Sequence, residues 1–193
     1  MIIYAPVSAL RAHQLTKGQQ DVRYYLNALH FIGNRIRTSN GHVCMESTHK
    51  LVNAPEEGII LSISTPPTGR IFSAVIDTDA GIVYWLDIPA DKPKDLEEVD
   101  HKKARVAVGT VDIVEANYPN VDALLNKARE NSKAVHEIGV ATPYLGMIEK
   151  LAKKFGIKMP FAKLNFNGAA EPIRVNLTTP DGEATLIIMP ARV

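Results

Sequence analysis

The sequence has little of what announces most activities. It holds one cysteine, Cys44. A lone thiol excludes an intramolecular disulfide framework and a four-cysteine zinc site, and it fits a reducing cytoplasm. No uninterrupted apolar run reaches the roughly 18–20 residues of a membrane span. The opening stretch, MIIYAPVSALRAHQ, lacks a signal-peptide pattern. There is no glycine-rich dinucleotide fingerprint and no P-loop. The histidines, His13, His30, His42, His49, His101 and His136, are scattered. None of them form the helical i,i+4 pair with a third ligand that zinc favours. Charge of one sign is also missing. Lys and Arg number 22 against 21 Asp and Glu, a net +1. A clear basic excess often marks a nucleic-acid binder; with a near-neutral total, the placement of the charges decides.

What is present is ample core material. Hydrophobic residues make up 46% of 193 residues, enough for one generous domain or two small ones. IIYA reads as a strand, and VSALRAHQLTK as a loosely amphipathic helix stopped near Gly18. YYLNALHFI, RIRTS and HVCMEST read as strands, with turns at Gly33-Asn34 and Asn40-Gly41. GIILSIS is a buried-strand candidate. In the middle, IFSAVID and GIVYWLDI form a second hairpin, and ARVAVGTVDIV is strand. The charged run 89–103 reads as a solvated loop, and NYPNVDALLNKARENSKA as a turn that becomes a short helix. EIGVA reads as a strand. Thr142 can cap the helix PYLGMIEKLAKKF, with Pro143 in its first turn and Gly156 at its end. Leu145, Ile148, Leu151, Ala152 and Phe155 share one face of that helix. AKLNFNG, PIRVNLTT and ATLIIMPARV then read as strands, the last two turned by Pro180-Asp181-Gly182.

Both ends of the chain thus share a plan: strand, helix, then about three antiparallel strands. Side by side, two such units give an α+β fold with two helices packed on one face of antiparallel sheets. Unit one covers about 1–66 and unit two about 135–193. A β-rich inserted or divergent segment fills about 67–130, all within a single domain over 1–193. A second division makes 1–125 a whole domain and the remainder half of another.

Few residues carry chemistry. His42 and Cys44 alternate on one strand, but a pair is not a metal site. Cys44 reads as a small core residue rather than a nucleophile. Asp77 and Asp79 are explained by their hairpin turn. An enzyme built on Asp77, Asp79, Asp87 and His101 is the weakest reading, and neither catalytic residues, cofactor nor metal are expected. The lysines are more telling. Lys150, Lys153, Lys154 and Lys158 lie on or just after one helix, and Arg11 and Lys17 belong to the other. On one face they would form a small basic surface able to neutralise phosphates without reading sequence. The plain alternative is a helix whose solvent face simply carries lysines.

The string DVRYYLN (21–27) resembles the bacterial sliding clamp, the beta subunit of the replicative DNA polymerase, whose middle domain carries Asp-Val-Arg-Tyr-Tyr-Leu-Asn. One hairpin later the family has Asp-Gly-His-Arg, where this chain has Asn40-Gly41-His42-Val43. The family closes on Met-Pro-x-Arg-Leu, and this chain ends Met189-Pro190-Ala191-Arg192-Val193. EIGVATPYLGMIEKLAKKF is similar to the last helix-containing unit of a clamp. The resemblance implies a DNA-clamp-like fold of paired βαβββ units. It implies a non-enzymatic, cytoplasmic replication accessory (processivity) protein that holds double-stranded DNA without sequence specificity. It also implies recruitment of a DNA polymerase or other clamp-binding protein.

The DNA-facing residues would be Arg11, Lys17, Lys150, Lys153, Lys154 and Lys158. A pocket for a partner peptide would be formed by Leu26, Ser39, Gly41, His42, Pro119 (from Tyr118-Pro119-Asn120, similar to the family's Phe-Pro-Asp), Met189, Pro190 and Arg192. The chain departs from the family pattern at Val43, Ala191 and Val193. It is also short for a clamp, which fits a phage or mobile-element origin. Closing a ring would need a homo-oligomer joined head to tail. The rival reading is a clamp mimic that binds a replication protein and not DNA.

Overall fold

A computed structural model of the protein describes residues 1–129 and 134–191. The strands are β1 (Ile2–Pro6), β2 (Leu29–Ile32), β3 (Arg35–Ser39), β4 (Val43–Thr48), β5 (Ile59–Ile63), β6 (Ser73–Asp77), β7 (Ile82–Leu86), β8 (Arg105–Ile113), β9 (Lys163–Asn165), β10 (Ile173–Thr179) and β11 (Gly182–Ile188). All pair antiparallel in an 11-stranded order, β1-β6-β7-β8-β5-β2-β3-β4-β11-β10-β9. The helices are α1 (Val7–Thr16), α2 (Pro93–Glu97), α3 (His101–Ala104), α4 (Val121–Arg129) and α5 (Thr142–Lys154).

Strand alternation sorts side chains onto two faces. On the inner face, Ile3, Phe31, Ile36, Met45, Leu61, Ile76, Trp85, Val175, Leu186 and Ile188 form the main core with Val7, Leu10, Leu151 and Phe155 of α1 and α5. α1 and α5 also pack against each other. The outer face carries the other helices. Leu96 of α2 joins Tyr4, Val75, Tyr84 and Leu86, while Val121, Leu125 and Ala128 of α4 cover Cys44 and Ile187. The expected arrangement, two helices on one face of antiparallel sheets, is therefore observed, with short helices added behind. Gly109 is confined by the core: a Cβ there would lie 2.1 Å from Ser64 Oγ and 2.8 Å from Trp85 Nε1.

The end of α5 follows its sequence. Gly156 takes φ +72°; its N–H donates to Lys153 O (3.1 Å), and that of Ile157 to Ala152 O (2.9 Å). This is a Schellman stop.

Four local expectations need correction. Tyr24–Asn27 is a 3-10 turn, not a strand; Gly18 N donates to both Leu26 O (2.7 Å) and Ser39 O (3.1 Å), which ties this turn to α1 and β3. The charged run 89–103 contains α2 and α3, because Leu96 is fully buried and Asp100 caps α3 by accepting from the N–H groups of Lys102 and Lys103. Glu137–Ala141 is reduced to a single bridge, Gly139 with Ala191. Thr142 begins α5 rather than capping it, and no side chain caps that end. Among the described residues no helix is long and apolar enough to cross a membrane.

Candidate nucleic-acid and peptide interfaces

The inner face exposes the surface of α5. Its apolar arc is Tyr144, Met147, Ile148, Leu151, Ala152 and Phe155, whereas Leu145, expected on that arc, is 45% exposed; 3.6-residue periodicity turns Lys150, Lys153 and Lys154 outward. These and Lys158 are exposed. Lys153 pairs with Glu149 one turn earlier, and this hydrogen bond lowers the Glu149 carboxyl below its ordinary range. The α1 residues are less free. The Arg11 guanidinium donates to Pro67 O (2.5 Å) and Gly69 O (3.3 Å), pinning the 67–69 loop. Lys17 is half-buried, and desolvation lowers its pKa. The basic surface thus rests on the four α5-side lysines.

The peptide-pocket residues divide. β4 pairs with β11, Val43 opposite Ile188, which sets the Ser39–His42 turn beside the end of β11. Met189 N donates to His42 O at 3.0 Å. The His42 ring stacks on Tyr144 of α5, centroids 6.3 Å apart. Inside the turn, Ser39 Oγ donates to Val43 O (2.8 Å) and accepts from Gly41 N (3.1 Å). Arg23, paired with Asp21, sits over Gly41, and the same hydrogen bond lowers the Asp21 carboxyl to about 2. A cavity of about 740 Å³ opens beside Met189 and Pro190, lined also by Ile138, Gly139, Ala169 and Ala191. Leu26 is 2% exposed, a core residue beneath the turn. Pro119 is exposed, and its neighbour Tyr118 stacks on His30 at 4.8 Å, on the outer side with α4. Arg192 lies outside the described residues.

Two polar networks were not legible in the sequence. Under α1, His13 Nδ1 lies 2.7 Å from Thr38 Oγ1 and its Nε2 2.7 Å from Ser47 Oγ. Ser47 Oγ is 2.6 Å from His49 Nε2, and His49 Nδ1 is 3.8 Å from Asp181 Oδ2. Ser47, His49 and Asp181 imitate a nucleophile–base–acid line, but Ser47 and His49 are each 1% exposed. No substrate reaches them, and the network clamps α1 to β3, β4 and the last hairpin. On the outer face, Arg37 (3% exposed) donates from Nε to Glu46 Oε2 (2.6 Å) and from its two terminal nitrogens to Asp122 (3.1 and 2.5 Å). This fork anchors the first turn of α4. Sequence spacing could not reveal either set, since each joins residues far apart in the chain.

The residues of the weak enzymatic reading are spread over structural tasks. Asp77 Oδ1 accepts from the N–H groups of Asp79 and Ala80, Asp87 pairs with Arg70, and His101 Nε2 lies 2.7 Å from Leu96 O. Burial raises the Cys44 thiol to about 12, which leaves it inert as a nucleophile.

Neither a protein-family model nor a curated protein matches the sequence. Solved structures do match the fold. The DNA polymerase sliding clamp from Pseudomonas aeruginosa superposes on 100% of this chain with a TM-score of 0.57 at 13% identity, over 67% of its own length. The sliding clamp from Bacillus subtilis gives a TM-score of 0.58 at 12% identity, over 64% of its length. The DNA polymerase III beta subunit from Thermotoga maritima gives 0.56 at 15% identity, over 66%. The chain therefore has the sliding-clamp fold and spans about two thirds of the length of these proteins. The family likeness read from the sequence is thus met as a likeness of fold.

Proposed function

We propose that this protein is a clamp-like replication accessory that rests on double-stranded DNA through the α5 lysines and recruits a partner through the cavity at Met189 and Pro190. The observation that carries the reading is the placement of α1 and α5 together on one face of a clamp-type sheet, with Lys150, Lys153, Lys154 and Lys158 exposed. Such a surface attracts phosphates without base readout. The cavity at the end of β11, beside the His42 turn, fits a short apolar peptide with a few polar contacts. The chemistry is non-enzymatic, and the partner is a DNA polymerase or another clamp-binding protein.

In this reading residues 1–193 form one clamp-like domain. β6, β7 and β8 support it, because they lie between β1 and β5 and carry the sheet across the middle of the chain. The sheet ends on two edges, β1 and β9, which suits head-to-tail assembly of copies into a homo-oligomeric ring.

Binding of a labelled duplex tests the proposal, compared between the wild type and Lys150→Glu/Lys153→Glu/Lys154→Glu, with light-scattering mass measured with and without DNA. The expected result is salt-dependent binding lost in the variant and a mass above the monomer on DNA. A wild type that ignores duplex DNA but binds a replication protein would replace this reading with the clamp mimic.

A further inference from the structure

We propose that the outer face of β7 and β8 is a docking site for an acidic, apolar segment of a partner protein. This face lies on the side of the sheet opposite α1 and α5, and the inference does not depend on DNA binding. Ala107 and Val111 of β8 turn into the main core, so Val106 and Val108 must point outward, where they are 55% and 58% exposed. Across the ladder, Val108 faces Tyr84, and Thr110 faces Ile82.

The same outer face is covered further along by Leu96 and the α2–α3 segment, which packs over Tyr4 and Leu86. That cover leaves the β8 valines bare. A single exposed valine needs no explanation, but a contiguous apolar patch beside a cavity marks an interaction site. The cavity here is about 470 Å³, lined by Ile82, Tyr84, Val108, Gly109, Lys102 and Arg105.

Charge selects the occupant. Asp100, at the start of α3, pairs with Lys103 at 3.4 Å and caps α3 with its other oxygen. Among the described residues, Lys102 and Arg105 have no carboxylate partner. The lining is thus apolar beneath and positive beside. An extended peptide fits both, with apolar side chains on one face and Asp or Glu on the other, because the strand period of two matches the spacing of Val106 and Val108.

The test uses the full chain and a fluorescein-labelled peptide of alternating leucine and glutamate, with a leucine–lysine peptide as its charge-reversed counterpart. Fluorescence anisotropy should show the acidic peptide binding and the basic one not. Methyl NMR signals of Val106 and Val108 should move on titration. Lys102→Glu/Arg105→Glu should weaken the acidic peptide about tenfold or more, two charge contacts being lost, and should let the basic peptide bind. Both positions are exposed, so an unchanged thermal midpoint is expected and checks folding. Equal binding of both peptides, survival of binding in the double variant, or shifts at Met189 in place of the valines would overturn the proposal. So would displacement of the peptide by single-stranded DNA acting through the same two cations.

Discussion

Met189 donates its backbone N–H to His42 O at 3.0 Å, so the last strand and the β3–β4 turn meet within one chain. The contact extends the β4–β11 ladder by one step beyond Ile188 and Val43. A turn and a chain end that lie far apart in sequence thus form one rim without help from a second subunit. The turn itself depends on Gly41 at φ +87°.

Gly41→Ala should therefore destabilise the protein by about 1 kcal/mol, the cost of forcing an L-residue into that region. The added Cβ would lie 2.7 Å from an Arg23 terminal nitrogen, but that side chain is flexible and half-exposed, so the backbone carries most of the effect. Urea denaturation measures it. A midpoint unchanged by the substitution would show that the turn relaxes, and the His42–Met189 contact would then lose its support.

Arg37 gives a second prediction. It is buried between Glu46 and Asp122. Arg37→Met leaves Glu46 charged, 12% exposed and without its closest partner. Breaking a buried pair from one side costs up to about 3–5 kcal/mol, and less here because Arg35 Nη1 still lies 3.3 Å from the same Glu46 oxygen, whereas replacing both partners by apolar groups is often nearly neutral. Arg37→Met/Glu46→Leu should thus recover much of the loss in the same denaturation assay. The Arg37 hydrogen bonds hold the Asp122 carboxyl below its ordinary value in the folded state. That stability is present above the unfolded carboxyl pKa and is lost as pH falls through the folded one, so the wild type should lose its advantage over the single variant in acid.

The buried histidines predict a separate pH window. Burial, with the neighbouring His49, holds His13 well below the usual imidazole range. Burial, with Arg37 nearby, holds His30 at about 4. In both cases the unfolded chain takes a proton near pH 6.5 that the folded chain refuses. Stability is complete above that value and declines as pH falls below it. The His30 share continues to fall until about pH 4. Each such proton contributes a slope of at most about 1.4 kcal/mol per pH unit. His13→Gln should flatten the dependence of the urea midpoint between pH 6.5 and 5. A variant as steep as the wild type would mean that His13 accepts its proton while buried.

How much of this was legible follows from which forces are local. α5, its lysine arc and its Gly156 stop could be read directly, because 3.6-residue periodicity and a left-handed glycine are properties of a short stretch. The hairpins at Gly33, Gly41 and Gly182 were legible for the same reason. Tyr24–Asn27 was misread because its residues favour strands, while its conformation is set by Gly18, which bonds Leu26 O and Ser39 O from outside the stretch. The 89–103 run was misread because its charges hide Leu96, the one residue that buries. The cavity at Met189 needs residues 137–139, 169–170 and 189–191 together, a meeting of distant segments that no local pattern encodes. Arg11 was rightly placed on α1, but its tie to Pro67 O depends on a loop more than fifty residues away.

The last prediction separates a DNA-facing surface from a merely solvated one. Lys153 is held by Glu149, whereas Lys150, Lys154 and Lys158 have no ion-pair partner among the described residues. If α5 meets DNA, each lysine that neutralises a phosphate should contribute about −0.9 to the slope of log binding constant against log salt. Lys154→Gln should then make that slope shallower by about 0.9. Glu149→Gln should act in the opposite direction. It frees Lys153 and removes a carboxylate that repels phosphate, so duplex binding should tighten and its salt slope should steepen. A solvated lysine face with no DNA contact would respond to neither substitution. Opposite shifts of the salt slope in the two variants, measured by duplex anisotropy over a salt series, would place the α5 surface against the backbone. Parallel shifts, or none, would remove it.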